Sequence, residues 1–249
     1  MTHAPRTAAT RDTRRIMAMI ADNLQQVRAR IARACAQAGR PVQSVTLLSV
    51  SKTFGPDAVR AAHSEGECRF GENYVQEGLE KILSLGPLRE RIEWHLIGPL
   101  QSNKTRVVAE RFDWVHSVDR LKLAERLSAQ RPAALPPLDI CLQVNISGEV
   151  SKTGLAPRDV ADVALAVAAL PRLTLRGLMA IPEPAGDFEI QRRPHRALRE
   201  VFEALQAEGL PLDTLSMGMS ADLEAAIAEG ATLVRVGSAI FGERHKEER

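Results

Sequence analysis

Lys52 closes the apolar run SVTLLSVSK, residues 44–52, so its amine stands at the end of a buried segment. The chain has twenty-seven arginines and only six lysines. Arginine is its ordinary surface cation, and a lysine at a strand end stands out. Only an amine can form a Schiff base, and partial desolvation lowers its pKa and frees it for that chemistry. Near the other end of the chain, Gly218-Met219-Ser220 leads into the helical pattern ADLEAAIAEG. Ser220 reads as its N-cap, which would present backbone N–H groups and a positive dipole end. Asp222 in the same first turn would repel an anion if it faced inward. Gly237-Ser238 follows the apolar LVRV, and glycine there permits close backbone approach to a phosphate. Arg235 lies two residues before Gly237, on the same face of a strand. It could donate to a ring nitrogen or form a structural ion pair.

Other candidates are weaker. His95 and His116 each end a strand reading and suit satisfied interior histidines as well as acid–base groups. Lys104 and Lys152 lie in loops and read as solvated. Glu72 and Glu77 suit a network at the rim. Cys35, Cys68 and Cys141 are far apart, without ligand spacing, which disfavours disulfides and structural zinc. They read as reduced core residues of a cytoplasmic protein.

These residues need elements to bring them together. Short apolar runs at 44–52 and near 68–71, 93–97, 113–118, 138–146, 173–179, 213–217 and 232–236 predict eight strands. Helical patterns lie between them, at 57–65, 73–84, 102–110, 119–130, 157–169, 190–208 and 221–229. Alternating strands and helices imply right-handed βαβ units and a parallel sheet. Eight units in 249 residues match a single (β/α)8 TIM barrel, whose active face is built from the loops at the C-terminal ends of the strands. A doubly wound open sheet is the alternative, but no G-x-G-x-x-G turn follows the first strand. Ile16, Ile20, Leu24, Val27 and Ile31 recur at helical spacing and predict an extra N-terminal helix ended by Gly39-Arg40-Pro41. Residues 1–15 are polar, Arg/Thr-rich and without an apolar core, which predicts a disordered tail rather than a secretory signal. The domain is then 16–249.

Composition narrows the function. A 27.2 kDa chain buries about 70% of its surface on folding, enough for one sizeable core. No stretch approaches the ~20 apolar residues of a membrane span. The net charge of +2 and 4% aromatic content leave little to attract or stack nucleic acid. A lysine amine and a phosphate cradle in one barrel mouth fit pyridoxal phosphate, or a phosphosugar in a class I aldolase.

Longer motifs decide between them. VSKT (50–53), FGENYVQE (70–77), WHLIGPLQSNK (94–104), HSVDR (116–120), QVNISGEVSKTGL (143–155), RGLMAIP (176–182) and LSMGMSADLEAAI…LVRVGSAIFG (215–242) occur in this order. The chain thereby resembles the pyridoxal phosphate homeostasis proteins, the YggS/PROSC family, from about residue 16 to 244. That family resembles the barrel domain of alanine racemases without their second domain. The resemblance implies pyridoxal 5′-phosphate as cofactor, held as an aldimine by Lys52. It implies Asn73 near the cofactor, Ser220, Gly237 and Ser238 at the phosphate, and Arg235 at the pyridine nitrogen. It implies a role in vitamin B6 homeostasis without established turnover, with apoenzymes as partners. An Arg at the ring nitrogen weakens the electron sink, and the racemases' second domain, which brings the other base, is missing. The expectation is a monomeric carrier; the alternative is a weak amino-acid racemase or lyase.

Overall fold

Strands such as TLLSV and WVHSV carry apolar residues on both faces, and a segment of that kind needs cover on both faces. A closed barrel supplies it, with side chains packed inside and helices outside. The computed structural model describes residues 11–147 and 153–242. Its strands are β1 (Thr46–Val50), β2 (Arg69–Glu72), β3 (Glu93–Leu96), β4 (Trp114–Val118), β5 (Leu138–Gln143), β6 (Leu173–Met179), β7 (Thr214–Ser216) and β8 (Leu233–Val236). Each pairs in parallel with the next, and β8 returns to β1 to close the barrel. The helices are α1 (Arg11–Gln37), α2 (Pro56–Ser64), α3 (Val75–Ser84), α4 (Thr105–Arg111), α5 (Leu121–Gln130), α6 (Val160–Ala168), α7 (Phe188–Ala207), α8 (Leu223–Ala228) and α9 (Ser238–Phe241). All eight expected strands are present, and the barrel excludes the open-sheet alternative.

The differences lie at ends. Of the expected 1–15 tail, residues 1–10 lie outside the described residues, and α1 already includes 11–15. β1 stops at Val50 because the chain turns there, so Lys52 comes after the strand rather than closing it. β5 stops at Gln143, and Val144 makes only an isolated bridge to Leu155. Cys35 and Cys141 are buried as expected, but Cys68 is exposed in the approach to β2. Among the described residues no helix is long and apolar enough to cross a membrane.

α1 packs beside α2, α8 and α9. Ile20, Leu24, Val27 and Ile31 are buried in the main core. Ile16 is half exposed, one turn upstream of the packed stretch. Two polar contacts tie this helix to the loops after β7 and β8. Asn23 Nδ2 donates to Ile240 O at 2.9 Å. The Arg30 guanidinium grips the Glu224 carboxylate at 2.9 Å and reaches Ser220 O at 3.1 Å. The helix therefore steadies the loop that carries Ser220. Leu24→Ala is expected to lower stability by about 2–5 kcal/mol, read as a lower urea midpoint at unchanged slope. A change below about 1 kcal/mol would mean that α1 is not integral to the core.

Candidate functional site

Beyond β1 the chain makes a tight turn, Ser51 to Phe54, closed by Phe54 N–H donating to Ser51 O at 3.1 Å. Lys52 and Thr53 are its central residues. Thr53 has φ +69°, an uncommon conformation for a β-branched residue, so the surroundings must impose it. They do so through a buried polar cluster. Glu77 accepts the Thr53 N–H. The Lys81 amine donates to Ser51 O at 2.7 Å, to Glu72 Oε1 at 2.7 Å and to Glu77 Oε1 at 2.6 Å. Ser51 Oγ donates to Glu72 Oε1 at 2.6 Å. Burial raises the Glu72 carboxyl, and Lys81 and Ser51 oppose that rise. The expected network of Glu72 and Glu77 is therefore real, and Lys81, which sequence reasoning missed, is its centre. Ser51 points into this cluster, whereas Val50 and Lys52 point the other way and line the barrel mouth.

Across the mouth stand β7 and β8. Gly218 follows β7 with φ +90°, a conformation open to glycine, and its carbonyl accepts the Arg235 N–H at 2.9 Å. Ser220 is not a helix cap. α8 starts at Leu223 behind Asp222. Asp222 closes the preceding turn instead, accepting the Met219 N–H at 2.7 Å. Its other oxygen meets His195 Nε2 at 3.0 Å, so this carboxylate has a partner on α7 rather than a free inward face. Burial alone would raise the Asp222 carboxyl, but His195 and the Met219 N–H hold it below its usual range. Ser220 Oγ faces Ser238 Oγ at 3.4 Å, which joins the two loops.

Arg235 is buried. Its Nη1 donates to Ser216 Oγ at 2.8 Å and its Nη2 to Ala180 O at 2.9 Å. Burial draws this guanidinium down to about 10, against the pull of Asp222 and Cys141, so it is a cation at neutral pH. It has no ion pair among the described residues. Asn73 comes from the loop after β2. A Cβ on Gly98 would lie 2.0 Å from Asn73 O, so only glycine lets the two loops press together there. Asn73 Oδ1 is buried without a partner.

Lys52, Asn73, Ser220, Arg235, Gly237 and Ser238 all line one cavity of about 820 Å³ at the C-terminal rim. That is ample for a small cofactor. Ile97, Ile181 and Met219 supply an apolar wall; they too come just after strands, which was the available signal. Tyr74 is exposed at the start of α3, and Lys104 is exposed before α4. Lys152 lies outside the described residues. His95 and His116 are buried inside the barrel and fully bonded. The residues fit pyridoxal phosphate: an amine, a buried cation lacking an anion, an unpartnered amide oxygen, and two hydroxyls beside a glycine. The Lys81 cluster makes a separate prediction. Lys81→Met should cost about 3–5 kcal/mol, because it strands a buried carboxylate. Adding Glu72→Gln should recover much of it in thermal unfolding.

Comparison with known proteins agrees with this geometry. Residues 22–245 match the alanine racemase N-terminal domain family. The pyridoxal phosphate homeostasis protein of Pseudomonas aeruginosa is 58% identical over 92% of this chain and 97% of its own length. That of Escherichia coli K12 is 52% identical over 90% and 97%. PipY of Synechococcus elongatus, solved with PLP bound, superposes with a TM-score of 0.78 at 37% identity, covering 90% of this chain and all of PipY. An alanine racemase of Clostridium difficile shares the fold, with a TM-score of 0.70 at 13% identity, over 58% of its length. With this domain match and relatives alike over nearly their whole length, the chain belongs to the pyridoxal phosphate homeostasis protein family.

Proposed function

We propose that this protein binds pyridoxal 5′-phosphate in the barrel mouth, keeps it in reserve and yields it to apoenzymes that need it, without turning over amino acids. The convergence of Lys52 and Arg235 on one cavity with Ser220, Gly237 and Ser238 carries the reading. The names of the relatives and the cofactor bound in PipY support it. When bound, the cofactor supplies an electrophilic aldehyde and a conjugated ring. Lys52 supplies the amine that condenses with that aldehyde, one C=N bond forming as one water leaves. The Thr53 turn and the Lys81 cluster hold the backbone on either side of Lys52 in place.

Ser220, Ser238 and the backbone around Gly237 take the phosphate. Arg235 takes the pyridine nitrogen. A guanidinium donates hydrogen bonds and remains charged, so it does not hand its proton to the ring. Charge developing at a substrate α-carbon is then poorly drawn into the ring. Racemisation also needs a base on each face of that carbon. No carboxylate, imidazole, thiol or phenol is among the described residues lining the cavity. Lys52 is thus the one described group there suited to move a proton.

Three outcomes test the reading. Pyridoxal without phosphate should bind far more weakly than the phosphate ester in an absorbance titration; equal affinity would remove the phosphate site. Ser220→Ala should cost only about 1–3 kcal/mol of binding, one charge-assisted hydrogen bond. In deuterated water, α-proton exchange with a panel of L- and D-amino acids should stay well below about 1 s⁻¹, the low end of enzymatic turnover. Faster exchange that vanishes in Lys52→Ala would make the protein a racemase or lyase instead.

A further inference from the structure

A continuous hydrogen-bond chain crosses the barrel beneath the mouth. Arg235 Nη1 lies 2.8 Å from Ser216 Oγ. Ser216 Oγ lies 2.7 Å from His116 Nδ1. His116 Nε2 lies 2.9 Å from His95 Nδ1. His95 Nε2 lies 2.8 Å from Glu93 Oε1. Ser216, His116 and His95 are wholly buried. The two ends open into different spaces. Arg235 lines the mouth cavity, whereas Glu93 and His95 line a separate cavity of about 360 Å³ at the N-terminal ends of the strands.

The inventory of donors fixes each proton. A guanidinium only donates. Ser216 Oγ therefore accepts from Arg235, and its one hydrogen goes to His116 Nδ1, the only acceptor bonded to it among the described residues. His116 then carries its own proton on Nε2 and donates it to His95 Nδ1. His95 likewise carries its proton on Nε2 and donates it to the Glu93 carboxylate. Starting from Glu93, which as a carboxylate only accepts, gives the same assignment. The two ends agree on one direction. An extra proton on either imidazole would leave the Ser216 hydrogen without an acceptor in the chain.

The surroundings disfavour the charged form of both imidazoles. Burial lowers His116, and His95 and Arg235 lower it further. Burial lowers His95; Glu93 and Asp113 oppose this, and Arg69 adds to it. Trp114 stacks on His95 with centroids 5.2 Å apart. We propose that Ser216, His116 and His95 are positioning residues for Arg235: a one-way relay that orients its guanidinium toward the cavity and ties that orientation to a carboxylate at the opposite end of the barrel. The link to the cofactor rests on the reading that Arg235 faces the pyridine nitrogen; the relay itself does not.

Nitrogen-15 NMR of the cofactor-free protein reads the relay directly. At neutral pH, His95 and His116 should both be neutral Nε2–H tautomers. A proton on Nδ1 of His116, or an imidazolium at either residue, would overturn the relay. The loaded protein tests the positioning role. Ser216→Ala should speed cofactor release on dilution, followed by visible absorbance, about tenfold, the effect of one lost hydrogen bond. Ser216→Thr, which keeps the hydroxyl, should restore wild-type release. Unchanged release in a folded Ser216→Ala protein would overturn the positioning role. The wild-type tautomers need no variant, so the relay is decided even if Ser216→Ala does not fold. If the wild-type protein takes up no cofactor, the proposed function fails while the tautomers still decide the relay.

Discussion

The hydrogen bonds between β1 and β8 bring the two ends of the sequence to one site. Leu48 pairs with Arg235 and Ser49 with Val236, so the residues just beyond them, Lys52 on one side and Gly237 and Ser238 on the other, meet at the same rim. No local feature could do this, because Lys52 comes from the first βα unit and Gly237 and Ser238 from the last. Closure also fixes which side chains face the mouth. Successive residues alternate across a strand, so Val50 and Lys52 share the cavity with Arg235 and Gly237, and Ser51 is left to the cluster behind.

That arrangement puts charge where it is costly, and the protein handles two of its buried cations, Lys81 and Arg235, differently. Lys81 is neutralised by Glu72 and Glu77. A buried pair of this kind adds little net stability but is destructive to break, so its use here is to hold the Thr53 turn. Arg235 has no carboxylate bonded to it among the described residues. Its donors go to a carbonyl and a hydroxyl, and the hydroxyl passes the demand through two histidines to Glu93. The charge beside the mouth cavity is therefore held by hydrogen bonds without an ion pair among the described residues.

Much of this was legible in the sequence. Strands covered on both faces are continuous apolar runs, so all eight appeared at nearly their true places. Lys52, Ser220, Arg235, Gly237 and Ser238 stand out by the barrel rule that chemistry gathers after strand ends, Asn73 stands out only by the family resemblance, and all six line the mouth cavity. The remainder depends on geometry between elements. Strand β1 ends early because Thr53 adopts a left-handed conformation that only the Glu77 and Lys81 cluster explains. Ser220 resembles a cap because it precedes a helical pattern, but Asp222 bonds the Met219 N–H and captures the turn. Lys81 reads as part of an amphipathic helix, and nothing along the chain marks it as buried. His95 and His116 suit satisfied interior positions on sequence grounds, yet their bonds to each other and to Ser216 depend on the stagger of β3, β4 and β7.

The central claim is tested most directly by borohydride reduction of the protein loaded with pyridoxal phosphate, with digestion and mass mapping of the product. The expected result is a pyridoxyl group on Lys52. Label found mainly on Lys104 or Lys152, or no label despite a bound chromophore, would contradict it.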